Sequence, residues 1–126
     1  KETPKWGKQA RALSGGGVDH VVEVGGAGTL AQSLTAVKVG GTISVIGVLS
    51  GVAAELSVIP MLMSYVRMQG ILVGHRESFE ALCRAAEASQ LRPVIDSTYP
   101  LEQTRDALEH MAAGGHLGKI CIKISE

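Results

Sequence analysis

A glycine-rich turn between a predicted strand and a predicted helix is the first feature of this sequence that could do chemistry. It runs from His20 to Thr29 and reads HVVEVGGAGT. In a dinucleotide-binding unit such glycines hold a pyrophosphate at a helix N-terminus, and an acidic residue about 20 positions later binds the ribose hydroxyls. That later position falls here on Val48-Leu49-Ser50, which offers no carboxylate. The glycines alone are therefore weak evidence for a phosphate site, and their strand is interpreted as an interior strand of a larger sheet.

Other polar residues give less specific signals. His20 and Glu23 could form a proton relay, but strand alternation places residues three apart on opposite faces, which favours a packed or edge histidine. His75 and Arg76 follow a strand end, where they could meet a phosphate or a partner surface. A solvated start of a helix explains the same pair equally well, because acidic residues lie beside it.

The sequence predicts no catalytic residue and no metal ligand. Cys83 and Cys121 are far apart, and together with His110 and His116 they show neither C-x-x-C nor H-x-x-x-H spacing. This pattern argues against a zinc site within the chain. A G-x-S-x-G elbow for a serine nucleophile is also absent from the sequence.

Composition narrows the class of protein. The chain has 126 residues, is 45% hydrophobic and carries a formal net charge of zero, which predicts a single globular domain. Balanced, scattered charge favours neither nucleic acid nor an anionic membrane as a partner. The most apolar stretch, residues 56–66, is far shorter than the roughly 20 residues of a membrane span. The N-terminal segment lacks the apolar core of a signal peptide, and the cysteine spacing fits a reducing cytoplasm.

Apolar runs of strand length alternate with segments of helical periodicity, which predicts an α/β fold. Residues 29–32 have the spacing of a capping box for the second helix, and Gly40-Gly41 is expected to close that helix. The β-branched run at 42–48 is typical of a strand covered on both faces of a parallel sheet. Strands are predicted at 18–24, 42–48, 68–73, 93–95 and 120–124, and helices at 6–13, 29–39, 61–65, 77–89 and about 101–111.

Glycine follows the carboxyl end of each of the first three predicted strands. The three segments are Val24-Gly25-Gly26, Ile46-Gly47-Val48 and Val73-Gly74-His75. Ligands bind outside these ends in doubly wound sheets, so one interpretation is close approach of a flat ligand to the backbone. The other is that glycine simply ends a strand through its turn preference. Three such glycines in series favour a ligand-binding edge.

The ordered motifs resemble the C-terminal part of medium-chain alcohol dehydrogenases and quinone oxidoreductases, and the likeness covers essentially the whole chain. The resemblance implies strands four to six of a Rossmann domain, that is, a partial doubly wound parallel sheet with flanking helices. It also implies that the G-x-G-x-x-G turn lies outside this chain, as does the catalytic domain with its zinc ligands where the enzyme uses zinc. The motifs are GVDHVVEVG at 17–25, VGGTISVIG at 39–47, GILVGHRESF at 70–79 and GKICI at 118–122.

The same resemblance implies that the chain keeps the nicotinamide end of an NAD or NADP site. A nicotinamide does the redox chemistry itself, and the protein supplies an apolar surface that orients the ring. The implied positions are Val24, Gly25 and Gly26 for the ribose and nicotinamide, Ile46, Gly47 and Val48 for the ring face, Ile71, Leu72 and Val73 for the carboxamide, and Lys119 for the pyrophosphate.

The function implied for the parent protein is hydride transfer between a nicotinamide and an alcohol, aldehyde, ketone or quinone. Residues 1–126 are taken as one partial nucleotide-binding domain, with about 91–126 forming the tail that returns to the catalytic domain in the family. The isolated chain is expected to bind the dinucleotide weakly and to lack activity. The alternative is a non-catalytic binding or dimerisation module, because relatives pair across the strand matching Val66 to Val73. A homodimer or larger homo-oligomer is expected in either case.

Overall fold

The computed structural model describes residues 3–125 and confirms an α/β fold with parallel strands. The chain forms two compact units, one ending at Val73 and the other beginning at Gly74. The first contains a three-stranded parallel sheet and the second a two-stranded parallel sheet. Within residues 3–125, no helix is both long enough and apolar enough to cross a membrane.

The first unit alternates helices with strands. Its middle strand pairs in parallel with the other two, so the order in the sheet is the order in the chain. This confirms that the first three predicted strands are adjacent and parallel. The elements are α1 (Trp6–Leu13), β1 (Val18–Glu23), α2 (Leu30–Ala36), β2 (Val37–Val45), α3 (Ile59–Met63) and β3 (Arg67–Gly70).

Helices cover one face of this sheet. Leu34 of α2 packs with Ile43 of β2 and Val66 in a buried core, and Ile43 is 0% exposed. α2 lies against β1 and β2, and α1 lies against α2. On β1, by contrast, Val22 is 63% exposed. The expectation of a sheet covered on both faces is therefore wrong for this unit, because α2 covers one side only.

The second strand starts earlier than its sequence pattern predicts. Gly40 and Gly41 lie inside β2 and do not close α2. They mark an irregularity in the pairing, where a step of two residues along β1 (Val18 to His20) is matched by a step of five along β2 (Val37 to Thr42). Gly40 has a φ of 74°, a conformation that glycine adopts at little cost, so the glycines serve a bulge and not a helix end.

The predicted capping box does not form either. Thr29 makes no capping bond to α2, and its Oγ1 instead donates to Glu23 Oε1 at 2.6 Å. Gln32 Oε1 accepts a hydrogen bond from the Gly7 amide at 3.0 Å, and so ties α2 to α1. The prediction fails because a buried carboxylate and a neighbouring helix compete for the two side chains.

The second unit begins with a helix that contains no buried residue. Its α5 ends at Gly114 in the left-handed conformation usual for a helix C-terminus. The strand predicted at 93–95 is longer and lies further along the chain, and the last strand pairs with it in parallel. The elements are α4 (Arg76–Ala88), β4 (Ile95–Pro100), a 3₁₀ turn (Leu101–Gln103), α5 (Thr104–Ala113) and β5 (Lys119–Lys123).

Candidate functional site

The carboxyl ends of the three strands in the first unit lie level with one another. Glu23 pairs with Val45, and Val45 pairs with Gly70. The ladder continues one residue further, because the Ile46 amide donates to the Glu23 carbonyl at 2.9 Å and the Ile71 amide donates to the Val45 carbonyl at 2.9 Å. Strands 1 to 3 therefore end at a common edge, although β2 and β3 end three residues before the predicted Val48 and Val73.

Three branched apolar side chains stand in a row immediately beyond this edge. Val24 is 46% exposed, Ile46 is 46% exposed and Ile71 is 48% exposed. Glu23 and Val45, one residue earlier, face the covered side of the sheet, and side chains alternate along a strand. The row Val24, Ile46 and Ile71 thus forms an open apolar shelf on the other side, of the kind that a flat ring can pack against.

A buried carboxylate organises the turn that follows β1. Glu23 is 3% exposed, and its Oε1 accepts hydrogen bonds from the amides of Gly25 at 2.7 Å and Gly26 at 2.9 Å. Thr29 Oγ1 donates to the same oxygen, and Ser33 Oγ of α2 donates to Oε2. Burial raises the pKa of Glu23. The hydrogen bonds from Ser33, Thr29, Gly26 and Gly25 together lower it by more than burial raises it, so the pKa lies below its ordinary value.

The turn is also bonded to the loop that follows β2. The Ala27 amide donates to the Gly51 carbonyl at 3.0 Å, and the Gly28 amide donates to Ser50 Oγ at 3.1 Å. In return, both the amide and the hydroxyl of Ser50 donate to the Gly25 carbonyl at 2.7 Å. Each amide from Gly25 to Gly28 therefore already has an acceptor within the protein, and none is left to bind a phosphate.

The glycines at this edge are required by the chain's own packing. A Cβ on Gly25 would lie 2.2 Å from Thr29 Oγ1, and one on Gly47 would lie 2.5 Å from the Val24 carbonyl oxygen. Gly26 has a φ of +81°, and a Cβ there would lie 2.7 Å from the Gly51 carbonyl oxygen. Close approach does explain these glycines, but the approaching groups belong to the chain itself: the Thr29 side chain at Gly25, the loop after β2 at Gly26 and the turn after β1 at Gly47.

The first unit contains all the residues predicted to bind the cofactor except Lys119. Gly26 is buried, Gly25 and Gly47 are half-buried, and Val48 is exposed beside them. Leu72 and Val73 are 88% and 90% exposed. Lys119 belongs to the second unit, where it begins β5 and its amide donates to the Val94 carbonyl at 2.9 Å.

The structure assigns plain roles to two of the ambiguous histidines. His20 is exposed on β1 and its Nε2 lies 2.8 Å from Ser44 Oγ on the next strand, so it is an edge histidine with no link to Glu23. His75 is the N-cap of α4, accepting the Ser78 amide at Nδ1, while Arg76 pairs with Glu80 at 2.7 Å. These contacts support the interpretation of His75 and Arg76 as the solvated start of a helix.

A second polar cluster, in the second unit, was not anticipated from the sequence. Tyr99 Oη lies 3.0 Å from His110 Nδ1, and the ring of His116 meets that of His110 edge-on, with 5.9 Å between ring centroids. Asp96 accepts the Leu117 amide at 3.0 Å, and this bond is the main reason that the pKa of Asp96 is lowered. Among residues 3–125, no group of three or more His, Cys, Asp or Glu side chains could hold a metal ion.

Comparison with known proteins places this chain in a family. The sequence profile of the zinc-binding dehydrogenases matches residues 3–122, so the chain belongs to the zinc-binding dehydrogenase family. A zinc-type alcohol dehydrogenase-like protein of Schizosaccharomyces pombe is 35% identical over 129 residues, covering 98% of this chain and 37% of the relative. The crotonyl-CoA reductase of Streptomyces collinus is 33% identical over 122 residues, covering 95% of this chain and 27% of the relative.

Solved structures show the same fold. A protein of Sinorhizobium meliloti 1021 described as an alcohol dehydrogenase aligns with a TM-score of 0.81 and 42% identity, over 94% of this chain and 35% of that chain. An NAD-dependent alcohol dehydrogenase aligns with a TM-score of 0.80 and 26% identity, over 97% of this chain and 36% of that chain. The chain thus spans about a third of the length of these relatives. The family name implies zinc, but the described residues do not fit a zinc site.

Proposed function

We propose that the first unit forms the nicotinamide end of an NAD(P) site in an oxidoreductase of the zinc-binding dehydrogenase family. The observation that carries this proposal is the level row of Val24, Ile46 and Ile71, half-exposed beyond three parallel strand ends. An apolar surface at that edge suits one face of a nicotinamide ring, whose distance from the substrate must be fixed for hydride transfer.

Each segment of the edge has a proposed part in the complete protein. Residues 24–26 lie along the ribose and nicotinamide, residues 46–48 pack against the ring, and the backbone of residues 71–73 bonds the carboxamide. The proposed bond to the carboxamide is supported by the exposure of Leu72 and Val73, which follow the end of β3. Lys119 is proposed to meet the pyrophosphate, and residues from about 91 onward to form the tail that returns to the catalytic domain.

The proposed reaction of the complete protein is hydride transfer between NAD or NADP and an alcohol, aldehyde, ketone or quinone, in the cytoplasm. Its support is the family membership and the names of the relatives, one an NAD-dependent alcohol dehydrogenase and another a crotonyl-CoA reductase. The described residues hold no zinc cluster, so the catalytic groups are proposed to lie in the remaining length of the parent.

Methyl NMR of the chain with nicotinamide mononucleotide tests the proposal. Millimolar mononucleotide should shift the methyl signals of Val24, Ile46 and Ile71. AMP at the same concentration should shift them less, because it carries the same phosphate and a flat ring but lacks the carboxamide that the backbone of residues 71–73 is proposed to bond. An Ile46→Ala variant should weaken the response, and Leu13→Ala, an exposed change in α1, should not. Shifts confined to other residues would disprove the assignment.

A second candidate is a dimerisation module, and the outer side of β3 favours it. Arg67–Gly70 is the last strand of the three-stranded sheet and is exposed along its length, and Leu72 and Val73 continue it as exposed apolar side chains. An uncovered strand edge readily pairs with another chain. We propose a homodimer through residues 66–73. Light scattering should give twice the mass of the chain, and Leu72→Lys should return it to a monomer. A monodisperse wild-type monomer at high micromolar concentration would exclude this assembly.

A further inference from the structure

The turn after β1 has the construction of an anion-binding site whose anion is part of the chain. Gly25 and Gly26 direct two consecutive backbone amides at a single oxygen of Glu23, 2.7 and 2.9 Å away. Consecutive amides that converge in this way form a concavity that binds anions in many proteins. Thr29 adds a hydroxyl at 2.6 Å, and Ser33 adds another to the second carboxylate oxygen. Four donors therefore surround one carboxylate.

The surroundings of this carboxylate are enclosed and uncharged. Glu23 is 3% exposed and Ser33 is 0% exposed. Within residues 3–125 the carboxylate has no salt-bridge partner, so its charge is balanced by hydrogen-bond donors alone. A buried charge is tolerated only when its hydrogen bonds are satisfied, so the four donors and the carboxylate depend on one another.

We propose that Glu23 is the resident anion of the glycine turn: its carboxylate fills the site that the turn's donors create, excludes phosphate from it, and sets the path of the chain on which Val24 stands. The turn so fixed is bonded to the next loop, because the Val24 carbonyl accepts the Leu49 amide at 3.2 Å and the Gly25 carbonyl accepts the Ser50 amide at 2.7 Å. Glu23 is thus a positioning residue that acts through the backbone of residues 24–26.

Removing the carboxylate should leave a cavity that recognises small anions. Glu23→Ala retains the two amides and two hydroxyls but gives them no acceptor, so we expect the Tm to fall by on the order of 10 °C. Formate and acetate carry the missing group, and should raise the Tm of Glu23→Ala by several degrees more than chloride at equal ionic strength. Inorganic phosphate is larger than the carboxylate it would replace and should give less recovery than formate.

The control variant is Glu55→Ala, which removes an exposed carboxylate from the same unit. Wild type and Glu55→Ala should respond alike to formate, acetate and chloride, which removes the general effect of these salts on stability. Equal responses of Glu23→Ala to formate and chloride would overturn the proposal. So would an effect of formate as large in Glu55→Ala as in Glu23→Ala.

A measurement on the wild-type chain covers the case in which Glu23→Ala does not fold. The amide signals of Gly25 and Gly26 should move together as pH falls, with a midpoint below the ordinary pKa of a glutamate, because both amides report the charge on one carboxylate. Gly25 and Gly26 amides that stay in place as pH falls, or that move with different midpoints, would refute the inference. The part of this inference that concerns the position of Val24 rests on the proposed nicotinamide site. The anion experiments do not depend on that site, so a negative mononucleotide titration would leave the role of Glu23 as resident anion intact.

Discussion

The segments that follow β1 and β3 end the same sheet in opposite ways. The turn at residues 24–28 is bonded to Glu23 on one side and to the loop at 48–51 on the other. After β3, the Ile71 amide extends the ladder by one bond, and Leu72 and Val73 are almost fully exposed. The first segment takes its shape from contacts within the chain, whereas the second has a surface free to meet a ligand or another protein.

This difference explains why some glycines along the edge are sterically required and others are not. Gly47 leaves no room for a Cβ, which would lie 2.5 Å from the Val24 carbonyl oxygen. Gly70, at the end of β3, has no atom within 4 Å of the same position. Glycine is therefore required where two loops meet and is optional where the strand faces open space. Four predictions break or sharpen this comparison, in order of decreasing effect.

The largest contrast should come from isoleucines in neighbouring strands. Ile43→Ala removes a side chain that is 0% exposed from the core, and should lower the free energy of unfolding by about 2–5 kcal/mol. Ile71→Ala alters a side chain at the open edge that is 48% exposed, and should cost less than about 1 kcal/mol. Urea unfolding followed by circular dichroism measures both. Similar losses would mean that the edge is as tightly packed as the core.

A glycine pair tests the loop contact directly. Gly47→Ala forces a methyl group against the Val24 backbone, and should destabilise the fold by about 1–3 kcal/mol. Gly70→Ala meets no neighbour and should change the unfolding free energy by no more than about 0.5 kcal/mol. Thermal unfolding of the two variants beside wild type gives the difference. A Gly70→Ala variant as unstable as Gly47→Ala would show that both strand ends are crowded.

Acidification should weaken the turn at residues 24–28, which is bonded to Glu23, and should have little effect on the exposed segment after β3. The pKa of Glu23 is lower in the folded chain than in the unfolded one, so its contribution to stability is complete above the unfolded value and is lost as pH falls through the folded value. The urea concentration at which half of the protein is unfolded should therefore fall as the pH is lowered below about 4.5. This fall should be steeper for wild type than for Glu23→Gln. Glu55→Gln, at an exposed site, should retain the wild-type slope. Parallel curves for wild type and Glu23→Gln would remove Glu23 from the account.

The β-branched runs at 18–24 and 42–48 predicted β1, β2 and their parallel pairing, but not all of the strand bounds. β2 begins five residues earlier than predicted, and β2 and β3 end three residues earlier. The sequence did not predict the partner of the glycine turn, since Gly28 and Ser50 are 22 positions apart and nothing local joins them. From the sequence, Glu23 was considered only as a possible proton-relay partner of His20. The available signal was the spacing of Glu23, Gly25-Gly26, Thr29 and Ser33, which places two amides and two hydroxyls within reach of one carboxylate. The tenth predicted site residue, Lys119, rests on a loose local match and stays a prediction.

The smallest expected effect is binding of the whole dinucleotide by this chain. The shelf of Val24, Ile46 and Ile71 can contact a nicotinamide, but the amides of the glycine turn are bonded within the protein and give the pyrophosphate no anchor. An apolar contact with one ring is worth only a few kcal/mol, which corresponds to dissociation constants on the order of 1 mM or weaker. Calorimetric titration with NAD and with NADP should therefore give little or no heat and no preference between them, because the 2′-phosphate also lacks a partner. Micromolar affinity for either dinucleotide would show that the turn opens to accept phosphate, and would contradict the closed arrangement around Glu23.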